Sequence, residues 1–331
     1  MAHPGGTQIA VLGAGAWGTA LAIQAARAGH AVGLWARDPA RAAAIEAARE
    51  NAAYLPGAAL PPAISVTADP TVALADARIV LVVVPVQFLR PVLAALPPFS
   101  APLIACAKGV ERGTQRFPLE VMGALFPGRG LAVLSGPNFA HEVARGLPAA
   151  AVLASRDAAL RQAAGDMLGT AEFRIYGSDD PVGAQVGGAA KNVIAIAAGA
   201  VIGAGLGENA RAALVTRGLA ELSRLAVALG GRAETAAGLS GLGDLLLTTT
   251  GPGSRNTSLG HALGQGANLA EALAGRVGVA EGVATAPGLV ARAAEAGVEL
   301  PICDAVADLL AGRLSVAEAI GRLLARPRRN E

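Results

Sequence analysis

The sequence predicts an α/β half built on a doubly wound sheet, followed by an all-α half. Short β-rich runs alternate with alanine-rich helical windows as far as Tyr176 and then stop. The run "IVLVVV" (79–84) is apolar without alternation, as a strand covered on both faces must be. Beyond Asp180, nearly every segment is helix-forming between Gly and Pro breaks. At 331 residues the chain has room for two domains, and the expected division is 1–180 and 181–331.

The expected strands are, in order, "QIAVLG", "AVGLWA", "RIVLVVVP", "LIACAKG", "LAVLSG", "AAVLAS" and "FRIYG". Their alternation with helices is the rhythm of parallel strands joined by crossovers. Asp180 suits an N-cap with Pro181 at the first helical position. Further helices are expected through "ENARAALVTRGLAELSRLAVALG", "DLLLTT", "SLGHALG", "ATAPGLVARAAEAG", "CDAVADLLAG" and "SVAEAIGRLLAR".

Composition narrows the function. The net charge of +2 is spread along the chain without an aromatic-laced basic stripe, which argues against nucleic acid as a partner. The longest apolar stretch, Val193 to Leu206, falls short of the roughly 20 residues a membrane helix needs, and the first residues lack a signal core. A soluble cytoplasmic protein is therefore expected. Cys106 and Cys303 have no metal-ligand spacing and read as small buried hydrophobes, so no metal site is expected.

Gly13, Gly15 and Gly18 stand in the G-x-G-x-x-G spacing where the first strand turns into a helix. The first glycine permits the turn, the second lets backbone approach a pyrophosphate, and the third permits close helix-strand packing. This predicts a Rossmann-like dinucleotide site. At the tip of the second strand, Arg37 could receive the 2′-phosphate of NADP, while Asp38 leaves NAD possible.

Of 27 basic residues only Lys108 and Lys191 are lysine. An ammonium can be tuned to release its proton and a guanidinium cannot, so a chain that otherwise writes Arg marks these positions for chemistry. Lys108 follows the strand "LIACA", at the carboxyl end where open sheets bind ligands; a solvated loop lysine is the alternative. Lys191 lies in the small-residue helix "AAKNVIAIAAGA" behind Gly187 and Gly188, whose helical cost suggests that something approaches closely. It should face an anion or water, with snorkelling to the surface as the alternative. Asp244 is a candidate partner for Lys191, or else a plain N-cap. Gly136, Pro137 and Asn138 form a backbone-lined rim after another strand, and Ser254, Arg255 and Asn256 open a helix with groups suited to a phosphate.

Together "GAGAWGTALA", "LVVVP", "AKGVE", "SGPNFA", "GGAAKNVIAI", "ENARAALVTRGLAE", "GLSGLGDLLLT" and "SRN" resemble bacterial NAD(P)-dependent glycerol-3-phosphate dehydrogenase across nearly the whole chain. The resemblance implies reversible reduction of dihydroxyacetone phosphate to sn-glycerol 3-phosphate for glycerophospholipid synthesis, in a homodimer using NADP or NAD. It implies that Lys191 is the catalytic acid/base and that Lys108, Gly136, Asn138, Asp244, Ser254, Arg255 and Asn256 contact substrate. Ala16, Trp17, Arg37, Lys108, Ala140, Arg255, Val279 and Glu281 match cofactor contacts. Ala16 departs from a frequent serine, and Asn138 from the usual serine or threonine.

Two rivals are weighed. Dehydrogenases of non-phosphorylated 3-oxo acids carry an asparagine four positions after a helical lysine, where this chain has Ala195. A dinucleotide sensor would need only the first half.

Overall fold

A computed structural model describes residues 8–251, 253–274 and 280–327. The chain opens with β1 (Ile9–Leu12), α1 (Ala16–Arg27), β2 (Val32–Trp35), α2 (Pro39–Ala48), β3 (Ile64–Thr67) and α3 (Pro70–Leu74). It continues with β4 (Ile79–Val82), α4 (Val86–Ala94), β5 (Leu103–Ala105), α5 (Pro118–Leu125) and β6 (Leu131–Ser135). Then come α6 (Ala140–Arg145), β7 (Ala149–Ala154), α7 (Ala158–Leu168) and β8 (Phe173–Ser178).

These strands form one eight-stranded sheet in the order β3-β2-β1-β4-β5-β6-β7-β8. The order reverses at β1, so the carboxyl ends of β1 and β4 flank the switch point where doubly wound sheets bind ligands. β1, β2 and β4 are buried throughout, as their unbroken apolar runs require.

Two features differ from the expectation. The edge strand β3, "ISVT", alternates buried and half-buried residues, and its four residues with two hydroxyls carry too little apolar signal to stand out. β7 pairs antiparallel to β6, whereas the other strand pairs are parallel. The helix between them, α6, spans only about 9 Å and cannot return the chain along β6 as a parallel crossover demands.

The helical part comprises α8 (Pro181–Gly203), α9 (Gly207–Ala228), α10 (Ala233–Ala237), a π-helical turn (Leu239–Gly243) and α11 (Asp244–Thr250). Next are α12 (Arg255–Gly264), α13 (Leu269–Leu273), α14 (Glu281–Glu295), α15 (Pro301–Leu310) and α16 (Val316–Leu324). Two compact units result. The sheet unit extends through Lys108 and resumes from Phe117 to Pro181, and the helical unit takes Gly109–Arg116 with the chain from Val182 onward. The short excursion has a packing reason: Val110 lies against Gly288 of α14, where an added Cβ would come within 3.0 Å of it.

α8 is longer than the apolar stretch alone suggested. At 23 residues it meets the length and composition of a membrane span, yet 83% of its apolar window is buried inside the chain, which makes it a core helix. Both cysteines are free and buried, and burial pushes both thiols up, away from thiolate chemistry. Among the described residues no cluster of His, Cys, Asp or Glu could hold a metal.

One buried carboxylate supports the helical unit. Glu221 of α9 is 3% exposed and accepts the Ile302 and Cys303 N–H groups at 2.7 and 3.3 Å, satisfying the open start of α15. Burial nevertheless pushes it up to about 7, against the pull of those two bonds. The folded state therefore holds a proton between about pH 4.5 and 7 that the unfolded chain has released, and stability falls as pH rises through that window by roughly 3 kcal/mol. Glu221→Gln keeps an acceptor but cannot ionise. Urea unfolding at pH 5 and pH 8 should show the fall shrink by about that amount in the variant; equal falls in both proteins would contradict it.

Candidate active site

In the sheet unit the glycine turn links β1 to α1. Gly13 has φ +115°, and a Cβ there would meet the Val83 carbonyl oxygen at 2.9 Å. A Cβ on Gly18 would fall 1.8 Å from the Gly13 carbonyl oxygen, so helix and turn touch backbone to backbone. Gly15 is different: a Cβ there would meet nothing within 4 Å. Among the described residues nothing requires glycine at this point, and the open space suits a group brought from outside. Ala16 begins α1 with no side chain capping it, which leaves first-turn N–H groups for an anion, and Trp17 packs on the sheet core. The turn thus fits a dinucleotide pyrophosphate.

At the tip of β2, Arg37 is exposed. Its neighbour Asp38 caps α2, with Oδ1 accepting from the Ala40 and Arg41 N–H groups at 2.9 and 3.2 Å. Beyond β5 and β6, Lys108 donates from Nζ to the Gly136 carbonyl at 3.2 Å. Gly136 has φ +137° and lies against β7, where a Cβ would come within 3.1 Å of Ala150 and Ala151 backbone atoms. Asn138 donates from Nδ2 to the Ala150 carbonyl at 3.0 Å, while its buried Oδ1 has no hydrogen-bond partner among the described residues. Lys108, Gly136 and Asn138 therefore gather in one place. Ala140 starts α6 beside them in sequence.

In the helical unit, Lys191 does not snorkel: its side chain is 12% exposed, and Nζ lies 2.8 Å from Asp244 Oδ1 and 2.9 Å from Thr248 Oγ1. The Asp244 side chain is 2% exposed. It is no N-cap, because the π-helical turn precedes it and its own φ and ψ, −69° and −32°, are helical. The close approach suspected at Gly187 is the backbone of that turn, since a Cβ there would meet the Ser240 carbonyl oxygen at 2.4 Å. Gly187 so lets the segment before Asp244 settle on α8 one turn ahead of Lys191. Thr248, which sequence reasoning missed, accepts from Lys191 and donates to the Asp244 carbonyl at 2.6 Å. Its signal was the four-residue spacing from Asp244, one helical turn on the same face.

At the start of α12 the hydroxyl of Ser254 is used as an N-cap, accepting from Thr257 N–H at 3.2 Å. Arg255 is exposed. Asn256 is buried as a clamp: Nδ2 donates to Asn192 Oδ1 at 2.9 Å and Oδ1 accepts from Gly282 N–H at 3.1 Å. That joins α8, α12 and the first turn of α14, where Glu281 is the leading residue. Val279 lies outside the described residues.

A doubly wound sheet with an open glycine turn, joined in sequence to a helical unit holding a buried Lys-Asp-Thr cluster, defines a dinucleotide-binding oxidoreductase architecture. Residues 8–161 match the N-terminal family of NAD-dependent glycerol-3-phosphate dehydrogenase, and 180–321 match its C-terminal family. Glycerol-3-phosphate dehydrogenase [NAD(P)+] of Rhodospirillum rubrum is 56% identical over 264 residues, 79% of this chain and 76% of its own. That of Acidiphilium cryptum is 58% identical over 265 residues, 80% of both chains. The crystal structure of glycerol-3-phosphate dehydrogenase from Coxiella burnetii superposes with a TM-score of 0.92 at 37% identity, covering 97% of this chain and 99% of that one. The chain belongs to the NAD-dependent glycerol-3-phosphate dehydrogenase family.

Proposed function

We propose that the chain catalyses reversible hydride transfer between NAD(P)H and dihydroxyacetone phosphate, giving sn-glycerol 3-phosphate for glycerophospholipid synthesis. The observation that carries the reading is the buried Lys191 ammonium bound to a carboxylate and a hydroxyl at 2.8 and 2.9 Å. When bound, the reduced dinucleotide supplies the hydride. Lys191 Nζ delivers the proton to the ketone oxygen as it becomes an alkoxide, and takes it back in the reverse direction. Asp244 and Thr248 hold that nitrogen in one place, which keeps the proton aimed.

The first-turn backbone of α1 suits the pyrophosphate, and the Arg255 guanidinium at the start of α12 suits the substrate phosphate. Lys108, Gly136 and Asn138 are the proposed substrate contacts of the sheet unit. Asn256 acts in this reading by holding Asn192 and α14 in register, and Ser254 by capping α12. We assign dinucleotide binding to 1–180 and substrate chemistry to 181–331, and place the enzyme in the cytoplasm as a homodimer.

Arg37 is proposed to favour NADP, supported by Asp38 being engaged at the start of α2. Oxidation of both reduced cofactors should depend on dihydroxyacetone phosphate. Arg37→Ala should raise the KM for NADPH about tenfold and that for NADH less than about twofold. Turnover with a non-phosphorylated 3-oxo acid in place of dihydroxyacetone phosphate would defeat the activity, and an unchanged KM ratio would defeat the role of Arg37.

A further inference from the structure

The glycine turn has a restraint that lies far from it in sequence. Asn51 follows α2, is 1% exposed, and donates from Nδ2 to the Ala14 carbonyl at 3.0 Å and to Thr19 Oγ1 at 2.7 Å. Arg41 of α2 donates to the same Ala14 carbonyl, and its Nη2 lies 3.5 Å from Asn51 Oδ1. Tyr54 braces this guanidinium, its ring centroid 4.1 Å below. The Asn51 carbonyl in turn accepts from the Tyr54 and Leu55 N–H groups at 3.1 and 2.8 Å, so the loop is itself fixed.

Ala14 is the residue between the first two glycines, and its peptide is trans. In a planar trans peptide the carbonyl and the following N–H point in opposite directions. Holding the Ala14 oxygen on Asn51 and Arg41 therefore turns the Gly15 N–H away from them, and Gly15 itself borders open space, since a Cβ there would meet nothing within 4 Å. Glycine residues rotate freely, and an untethered Gly-Ala-Gly turn would spend part of its time with that donor misdirected.

We propose that Asn51, with Arg41, is a positioning residue that aims the Gly15 amide at the dinucleotide pyrophosphate. The inference rests on the turn being the cofactor site. Because the amide is fixed before the cofactor arrives, the effect belongs to cofactor affinity rather than to proton transfer.

The test is binding of NADH and NADPH to the full chain without ketone, followed by nicotinamide fluorescence, alongside steady-state kinetics. Asn51→Ala should raise the Kd about tenfold and Arg41→Met about threefold, while the KM for dihydroxyacetone phosphate moves less than about twofold. Arg41 is only half-buried, so its variant reports even where Asn51→Ala folds poorly. Thr19→Val removes the other bond of Asn51 and leaves the tether, so it should lower Tm and leave Kd within about twofold. Equal rises in Kd for Thr19→Val and Asn51→Ala, or a Kd in Arg41→Met equal to wild type, would overturn the proposal. A wild-type chain that bound neither dinucleotide would instead remove the cofactor reading beneath it.

Discussion

Lys191→Arg is expected to lower kcat for ketone reduction by about a thousandfold, within the range of a lost general acid, while leaving the dinucleotide Kd within about twofold. The substitution keeps the positive charge and can keep a pairing with Asp244, so electrostatics alone would predict a mild effect. It removes the capacity to release a proton, because a guanidinium stays protonated throughout the working range. It also replaces a compact ammonium, seated between Asp244 Oδ1 and Thr248 Oγ1, with a longer planar group that cannot place one donor at both. Lys191→Met serves as the companion: it loses charge and proton together, and on this mechanism should be no worse than the arginine variant by more than about tenfold. Near-normal kcat in Lys191→Arg would mean that the amine supplies charge only. Stopped-flow measurement of cofactor oxidation at saturating dihydroxyacetone phosphate separates this from a defect in binding.

The sequence made the turn legible because its glycines act locally. Gly18 is explained within a few residues by a helix-turn contact and Gly13 by its positive φ, although Gly13 also lies against the distant Val83 carbonyl. Lys191 was legible through scarcity, and Gly187 through its cost in a helix. Other parts stayed hidden for a common physical reason, which is distance along the chain. Asn51 acts 37 residues from Ala14, and nothing in "ENAAYLPG" signals a tether. Glu221 sits three residues before Arg224 and looks like half of a surface pair, yet it caps a helix that starts about 80 residues later. Thr248 is one of three consecutive threonines, and only the register of α11 selects it. The antiparallel pairing of β7 was hidden likewise, since strand direction depends on where α6 delivers the chain rather than on strand composition.

Glycine also decides how closely α8 and α12 meet, and here the same substitution carries opposite signs at two sites. Cβ atoms on Gly199 and Gly203 of α8 would lie 2.0 and 2.1 Å from the carbonyl oxygens of Thr257 and His261. On α12, those on Gly260 and Gly264 would lie 1.9 and 2.3 Å from the carbonyl oxygens of Ile196 and Ala200. The two small-xxx-small pairs face each other, and the helices touch through backbone. A carbonyl in a helix cannot rotate away as a side chain can, so one methyl forces the whole helices apart. Gly260→Ala should therefore cost more than about 3 kcal/mol despite the gain in helix propensity. Since Ser254, Arg255 and Asn256 begin α12, any folded fraction should also have a raised KM for dihydroxyacetone phosphate, as the Asn256–Asn192 bond is drawn out. Gly321→Ala is the contrast. It lies inside α16 with nothing within 4 Å of an added Cβ, and should stabilise by about 0.5–1 kcal/mol through propensity alone. Urea unfolding of both variants gives the two signs side by side; a Gly260→Ala protein as stable as wild type would show that the α8–α12 contact has slack that its backbone distances exclude.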